Sequence, residues 1–410
     1  MHLETLDWVI IVSFFIVFIA IGLLVAKKSG KDSKSFFLSD RNMPWWLLGV
    51  SMVATTFAAD TPNFVAGVIR EDGVFGNWIW WSFLLTGMLT VFFYAKLWRR
   101  SGITTDLEFY ELRYSGKSAA FLRGFRAIYL GVFFNIVIMA NVCLAAIKIG
   151  HVMFGLSSIE VLLIASPVVV IYSAFGGLKG VLLTDFVQFI IAMVGSIWAT
   201  IFIVNMPEIG GIENLLSTPA VAAKTAMLPD FSKPELLIPL LIIPLAVQWW
   251  SVWYPGAEPG GGGYIAQRML AAKNEKHATW ATLFFNFAHY AIRPWPWIII
   301  GLASIIIYPN IESLQTAFPN LNPAFVKNDL SYPAMLTFLP AGLLGIVITS
   351  LIAAFMSTIS THLNWGSSYV VNDFYVRFLR KAASGKEQVA VGRISTVLMM
   401  VFAGLLALVL

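Results

Sequence analysis

Cysteine is almost missing from this chain: Cys143 is the only one in 410 residues, which excludes an internal disulfide framework. Charge is scarce as well. Asp, Glu, Lys and Arg supply 12% of the residues while 58% are hydrophobic, and mean hydropathy is +0.78. Soluble domains carry about a quarter charged residues, so a set of soluble domains is excluded in favour of a polytopic membrane protein. Grouped reactive chemistry is also lacking. His289 and His362 stand alone in the sequence, and no metal-ligand cluster or nucleophile–base spacing is found, which argues against an intramembrane enzyme. The pI near 9.2 raises nucleic acid as a partner, but the basic residues follow a membrane pattern and no nucleic-acid module is present. No obligate protein partner is evident.

What is there is a series of apolar runs. Windows of about 20 apolar residues place spans near 6–26, 43–69, 78–98, 124–149, 155–174, 181–205, 235–265, 279–308, 338–372 and 389–410. The first run follows MHLET and is itself followed by positive charge, the reverse of a signal peptide, so it reads as a retained helix. Lysine and arginine then set the orientation. Of the 27 basic residues, 21 flank the connections after the odd-numbered spans, from Lys27 and Lys28 through Arg99, Arg100, Arg123 and Arg126 to Arg377, Arg380 and Arg393. The other side holds Arg70, Lys148, Lys224, Lys233 and Lys327. The positive-inside rule makes the first side cytoplasmic and leaves the N-terminus outside. Arg293 belongs to neither set, lying within a span.

Two spans are interrupted. The second carries Asp60-Thr-Pro-Asn halfway along, and the seventh carries Pro255, Pro259 and the glycines from Gly260 to Gly263. Proline lacks a donor N–H and glycine is entropically costly in a helix. Unwound backbone at membrane depth is tolerated where it is buried in protein or lines a cavity. Counting spans, these two begin five-helix units of opposite topology, the pattern that points to the binding site of a secondary transporter. A pair of kinked helices without a ligand is the plainer alternative.

SKSFFLSDRNMPWW (33–46), TTDLEFYELRYSGK (104–117), YSAFGGLKGVLLTDFVQF (172–189), YIAQRMLAAK (264–273) and AAFMSTISTHLN (353–364) together resemble successive signatures of the sodium:solute symporter family. That resemblance implies the leucine-transporter fold, a leading helix followed by a five-plus-five inverted repeat whose first helices are broken. It also implies N-out topology, as the charge count does. A sodium ion is implied between the first broken helix and a later core helix. Its ligands here would be the backbone carbonyls of Ala54, Phe57 and Ala354 and the hydroxyls of Ser357 and Thr358. Ala354, Ser357, Thr358 and Thr361 share one helical face, and hydroxyls with freed carbonyls make an oxygen cage for a hard cation. From spacing alone, small residues that let helices approach and hydrogen-bond their neighbours fit better.

The resemblance gives Asp185 a part in sodium release towards the cytoplasm, against the alternative that it caps a helix N-terminus. Asp60 is a costly intramembrane carboxylate and reads either as acting on the ion, directly or through its ligands, or as a partner for Arg293. A purely structural polar contact is its third reading. Solute-binding candidates near the midplane are Asn63, Gln248, Trp249, Trp250, Trp253, Tyr254 and Arg293. For the tryptophans an interfacial belt is the alternative. Arg293, too deep to snorkel, grips a solute carboxylate, or else pairs with Asp60, Asp185 or Glu258.

The expectation is an all-α polytopic membrane protein with about ten transmembrane helices. It divides into a leading helix and cytoplasmic loop (1–42), a first repeat (43–206), an extracellular loop (207–234) and a second repeat (235–410). Because the sequence stops at LLALVL, the last core helix is expected to be missing by truncation. The expected activity is sodium-coupled import of a small solute by alternating access, an amino acid such as proline or another small carboxylate. A sodium/sugar symporter and a solute-sensing receptor domain are the alternatives, and the plasma (inner) membrane is the expected location.

Overall fold

The computed structural model describes residues 3–56, 58, 60–250, 262–319, 321, 323 and 326–410. Within them the chain is helical, and a single parallel bridge between Met43 and Ala272 stands where a sheet would otherwise be sought. The first elements are α1 (Thr5–Ser29), α2 (Ser33–Leu38), α3 (Trp45–Thr55) and α4 (Thr61–Glu71). They are followed by α5 (Val74–Trp81), α6 (Leu84–Ser101), α7 (Gly116–His151), α8 (Ser158–Val204) and α9 (Pro234–Ala246). The remainder comprises α10 (Gly263–Ala271), α11 (Glu275–Ile307), α12 (Leu343–Leu379) and α13 (Gly385–Val409).

Among the described residues, six helices are long and apolar enough to cross a membrane, and the pair α5–α6, bent by 42°, makes a seventh. The remaining expected crossings come from interruptions. Helix α8 has 47 residues, about 70 Å at the helical rise, more than twice the roughly 30 Å hydrocarbon core. It is divided at Gly177, where φ is +55°. A Cβ there would lie 2.7 Å from the Phe36 carbonyl, so backbone conformation and space both demand glycine. The expected spans 155–174 and 181–205 are its two parts. The pairs α3–α4 and α9–α10 correspond to the two interrupted spans.

Burial orders the bundle. Of the apolar window in α12, 89% is inside the protein, against 22% for α1 and 33% for α13, so α12 is the central element and the other two are peripheral. Helix α1 is nonetheless pinned. The buried Asp7 carboxylate accepts from the amides of Gly342 (2.7 Å) and Gly345 (2.8 Å), satisfying free donors at the start of α12. Several helices carry a widened π-type turn, including Ala288–Ile292 in α11 and Tyr369–Leu379 in α12. Such turns shift the side-chain register and recur at functional sites.

The loop between α6 and α7 ties three helices together. Asp106 accepts from the Tyr369 hydroxyl (2.5 Å) and from the Gly263 amide at the start of α10 (3.0 Å). Arg123 of α7 bridges Asp373 of α12 (2.6 Å) and Glu111 (2.7 Å), and Arg377 also meets Glu111 (2.8 Å). Hydrogen bonding from Arg377, and then from Arg123, holds the Glu111 carboxyl down at about 2 despite partial burial.

Candidate functional site

The break between α3 and α4 opens onto a cavity of about 360 Å³. Where α3 ends, its last carbonyls lose their helical partners, and side chains take some of them up. The Thr358 hydroxyl donates to the Thr55 carbonyl at 3.1 Å. The Val53 carbonyl accepts from the Thr56 hydroxyl (3.0 Å) and from Arg293 Nη1 (3.3 Å).

The expected ion ligands that are described lie together. Ala54, Ala354, Ser357 and Thr358 are all buried, with α3 packed on α12. Ser357 donates to Asp185 Oδ1 at 2.6 Å, and Thr358 donates as above. A hydroxyl that gives its proton to protein still presents lone pairs to a cation, so these oxygens fit sodium. The carbonyl of Phe57 lies outside the described residues.

Asp185 is not a helix cap. It lies inside α8, past the division at Gly177, and is fully buried. Its carboxylate is held by Ser51, Ser357 and Arg268, with Arg268 Nη2 3.8 Å from Oδ2. Arg268 also reaches Ser51 (3.2 Å) and Thr361 (2.6 Å), and Thr361 meets Thr55 at 2.9 Å. The cation belonging to Asp185 is therefore Arg268, which corrects the option of an Arg293–Asp185 pair. One hydroxyl, that of Ser357, separates this carboxylate from the expected ion.

Arg293 and Asp60 both line the cavity and feel each other's charge. The widened turn in α11 presents His289 and Tyr290 beside Arg293. His289 joins the Thr56 hydroxyl (3.0 Å), which also meets Arg293 (3.2 Å). The guanidinium lies over the Trp297 ring, 5.4 Å from its centroid. Trp80 of α5 stacks on Tyr290 at 5.8 Å, forming an aromatic wall. Thr358 and Thr55 complete the lining on the α12 and α3 sides.

Other expected solute residues lie elsewhere. Thr61, Phe64 and Val65 take the cavity face of α4 at i, i+3 and i+4, which puts the buried Asn63 on another face. Gln248 donates to the Ile79 carbonyl (3.3 Å), the Trp249 carbonyl accepts from Thr86, and Trp250 is 72% exposed. These contacts draw 248–250 onto α5 and α6 and off the cavity. Trp253, Tyr254 and Glu258 fall outside the described residues. Sequence reasoning passed over Trp80, Tyr264, His289 and Tyr290. HYAIR held a signal, since His289 and Arg293 are four apart and share a face.

The sodium:solute symporter family matches residues 36–410. The chain belongs to the sodium:solute symporter family. It is thus a multi-pass membrane protein of a transporter family, not an enzyme, and sodium is the coupling ion of that family. A sodium/glucose cotransporter of Vibrio parahaemolyticus is 26% identical over 418 residues, covering 99% of this chain and 75% of the relative. A sodium/myo-inositol cotransporter of Mus musculus is 26% identical, covering 97% of this chain and 58% of its own length. The chain spans about 60% of the length of such mammalian relatives. A solved Na+-coupled sialic acid symporter, substrate-bound and outward-open, aligns with a TM-score of 0.80 at 22% identity, covering 99% of this chain and 82% of that one. That likeness places the chain in the same fold.

Proposed function

We propose that this chain is the transport core of a sodium-coupled symporter in the plasma membrane, with its N-terminus outside. Residues 43–206 and 235–410 act as the two inverted repeats of an alternating-access cycle, linked by the extracellular loop 207–234. One observation carries the reading. The cavity at the helix break is lined both by Thr358, an expected ion ligand, and by Arg293, a buried cation fit for a solute carboxylate. Sodium sits among Ala54, Phe57, Ala354, Ser357 and Thr358, and both ligands organise the same end of α3. Each then favours the conformation that the other needs, which is what coupling requires. Asp185 draws sodium onward by the charge of its carboxylate, which lies one hydroxyl beyond the ion.

The solute is a small carboxylate, an amino acid such as proline being the simplest case, with its carboxylate on Arg293 and any ammonium towards Asp60. A sugar is the second reading, favoured by the Trp80–Tyr290 wall and by the glucose and myo-inositol cotransporters among the relatives. Uptake by proteoliposomes across amino acids, monocarboxylates, sialic acid and sugars, with and without a sodium gradient, tests both. Uptake indifferent to sodium refutes coupling. Sodium stimulation retained in the Ser357→Ala, Thr358→Ala double variant refutes the ion site.

A further inference from the structure

Neither ion nor solute uses the groove between α7 and the widened end of α12. It encloses about 440 Å³ and is lined by carbon-rich side chains, chiefly Phe121, Phe125, Tyr129, Phe133 and Phe378. The first four recur at i+4 and their rings stack in a ladder, with centroids 6.0, 5.3 and 6.3 Å apart and planes within 18°. Phe121 is 71% exposed and Phe133 59%. The floor is formed where Phe378 lies against Gly124, whose missing Cβ would stand 2.6 Å from the ring. A larger residue there would force the Phe378 ring to shift and would fill the floor of the groove.

Exposed basic residues flank this groove along both helices. Lys117 continues the aromatic stripe, four residues before Phe121, and Arg380 and Lys381 come two and three residues after Phe378; all three are exposed. Arg380 shares its charge with Glu387 at 3.1 Å. We propose that this groove binds an anionic phospholipid, one acyl chain lying along the aromatic ladder and the phosphate headgroup meeting Lys117 and Lys381. Flat rings and a slot open to hydrocarbon suit a flexible chain, while basic side chains at a span's cytoplasmic end attract anionic headgroups. A second copy of this chain is the poorer occupant, because a symmetric contact would bring like charges together. The side assignment rests on the proposed orientation, since the basic residues mark the cytoplasmic leaflet. The same two helices are joined by the pairs of Arg123 with Asp373 and Glu111 and of Arg377 with Glu111, so a lipid lodged between them braces the α7–α12 junction.

The test is native mass spectrometry of the full chain, delipidated and then titrated with phosphatidylglycerol or with phosphatidylcholine of identical chains. The expected result is a first lipid bound about fivefold more tightly, for each basic side chain engaged, when it is anionic. Lys117→Glu with Lys381→Glu should abolish that preference while leaving phosphatidylcholine binding unchanged. Phe121→Ala with Phe125→Ala should weaken both lipids. All four sites are exposed, and a thermal melt checks that each variant folds. Equal affinity for the two lipids, or a preference untouched by charge reversal, overturns the proposal. A dimer whose formation is lost in the Phe121→Ala, Phe125→Ala variant overturns it in favour of a second copy. Lipid binding is read without transport, so its failure and failure of the proposed ion coupling are separate results.

Discussion

Arg268 and Arg293 are both buried arginines that reach α3, at 0% and 2% exposure, yet their surroundings differ. Arg268 is enclosed by protein: Asp185 balances its charge, and Ser51, Thr361 and Gln267 accept its protons. Arg293 shares its protons with the Val53 carbonyl and Thr56 while facing a cavity across which Asp60 lies. A buried charge balanced in place fixes architecture; one that fronts a cavity offers its field to whatever enters. On the proposed function, Arg268 is the structural arginine and Arg293 the one that meets the solute.

The largest expected effect breaks the first half of that comparison. Arg268→Gln leaves Asp185 as an uncompensated buried carboxylate, a loss of about 3–5 kcal/mol, seen as a lowered melting temperature and poor yield in detergent. Adding Asp185→Asn should restore much of that stability. No recovery in the double variant would show that Arg268 stabilises through packing instead of charge. Arg293→Gln should leave the fold near its normal stability and weaken solute affinity by roughly 10- to 100-fold, the scale of a charged hydrogen bond. Unchanged affinity together with a damaged fold would make Arg293 structural, like Arg268.

A third ion-pair group sharpens the contrast because it lies at the membrane's edge. Glu111 titrates at about 2 in the folded protein against an ordinary 4.5. A depressed carboxyl stabilises fully above its unfolded value and loses that contribution as pH falls from about 4.5 towards 2. The stabilisation is on the order of 2 kcal/mol after allowance for partial hydration. Melting temperature against pH should thus fall more steeply in the parent chain than in Glu111→Gln over that window, and parallel curves would remove Glu111 from the account. The smallest effect is expected at Asp60→Asn, about a fivefold change in affinity for a zwitterion and none for a plain carboxylate, measured by competition uptake.

Much of the site was legible because its signals are local. Pro62 beside Asp60, the face shared by Ser357 and Thr358, and a lone arginine within a span can each be read along one segment. The partner of Asp185 was not legible, because Arg268 lies 83 residues away in sequence and enters through helix packing. Asn63 and Gln248 looked equally suitable by residue type. A helix rotation keeps the first off the cavity lining and hydrogen bonds to α5 and α6 the second, neither of which composition encodes.

Scarce charge, the positions of lysine and arginine and the two interrupted spans by themselves determined a membrane bundle, its proposed orientation and the depth at which a ligand would sit. These properties follow from transfer free energies and backbone hydrogen bonding, which act segment by segment. Tertiary structure alone decided that Arg268 belongs to Asp185, that Arg293 fronts the cavity, and that Trp80 and Tyr290 form its wall. Those assignments depend on which helix faces meet, and on widened turns that rotate side chains by part of a turn, so they exist only once the helices are packed.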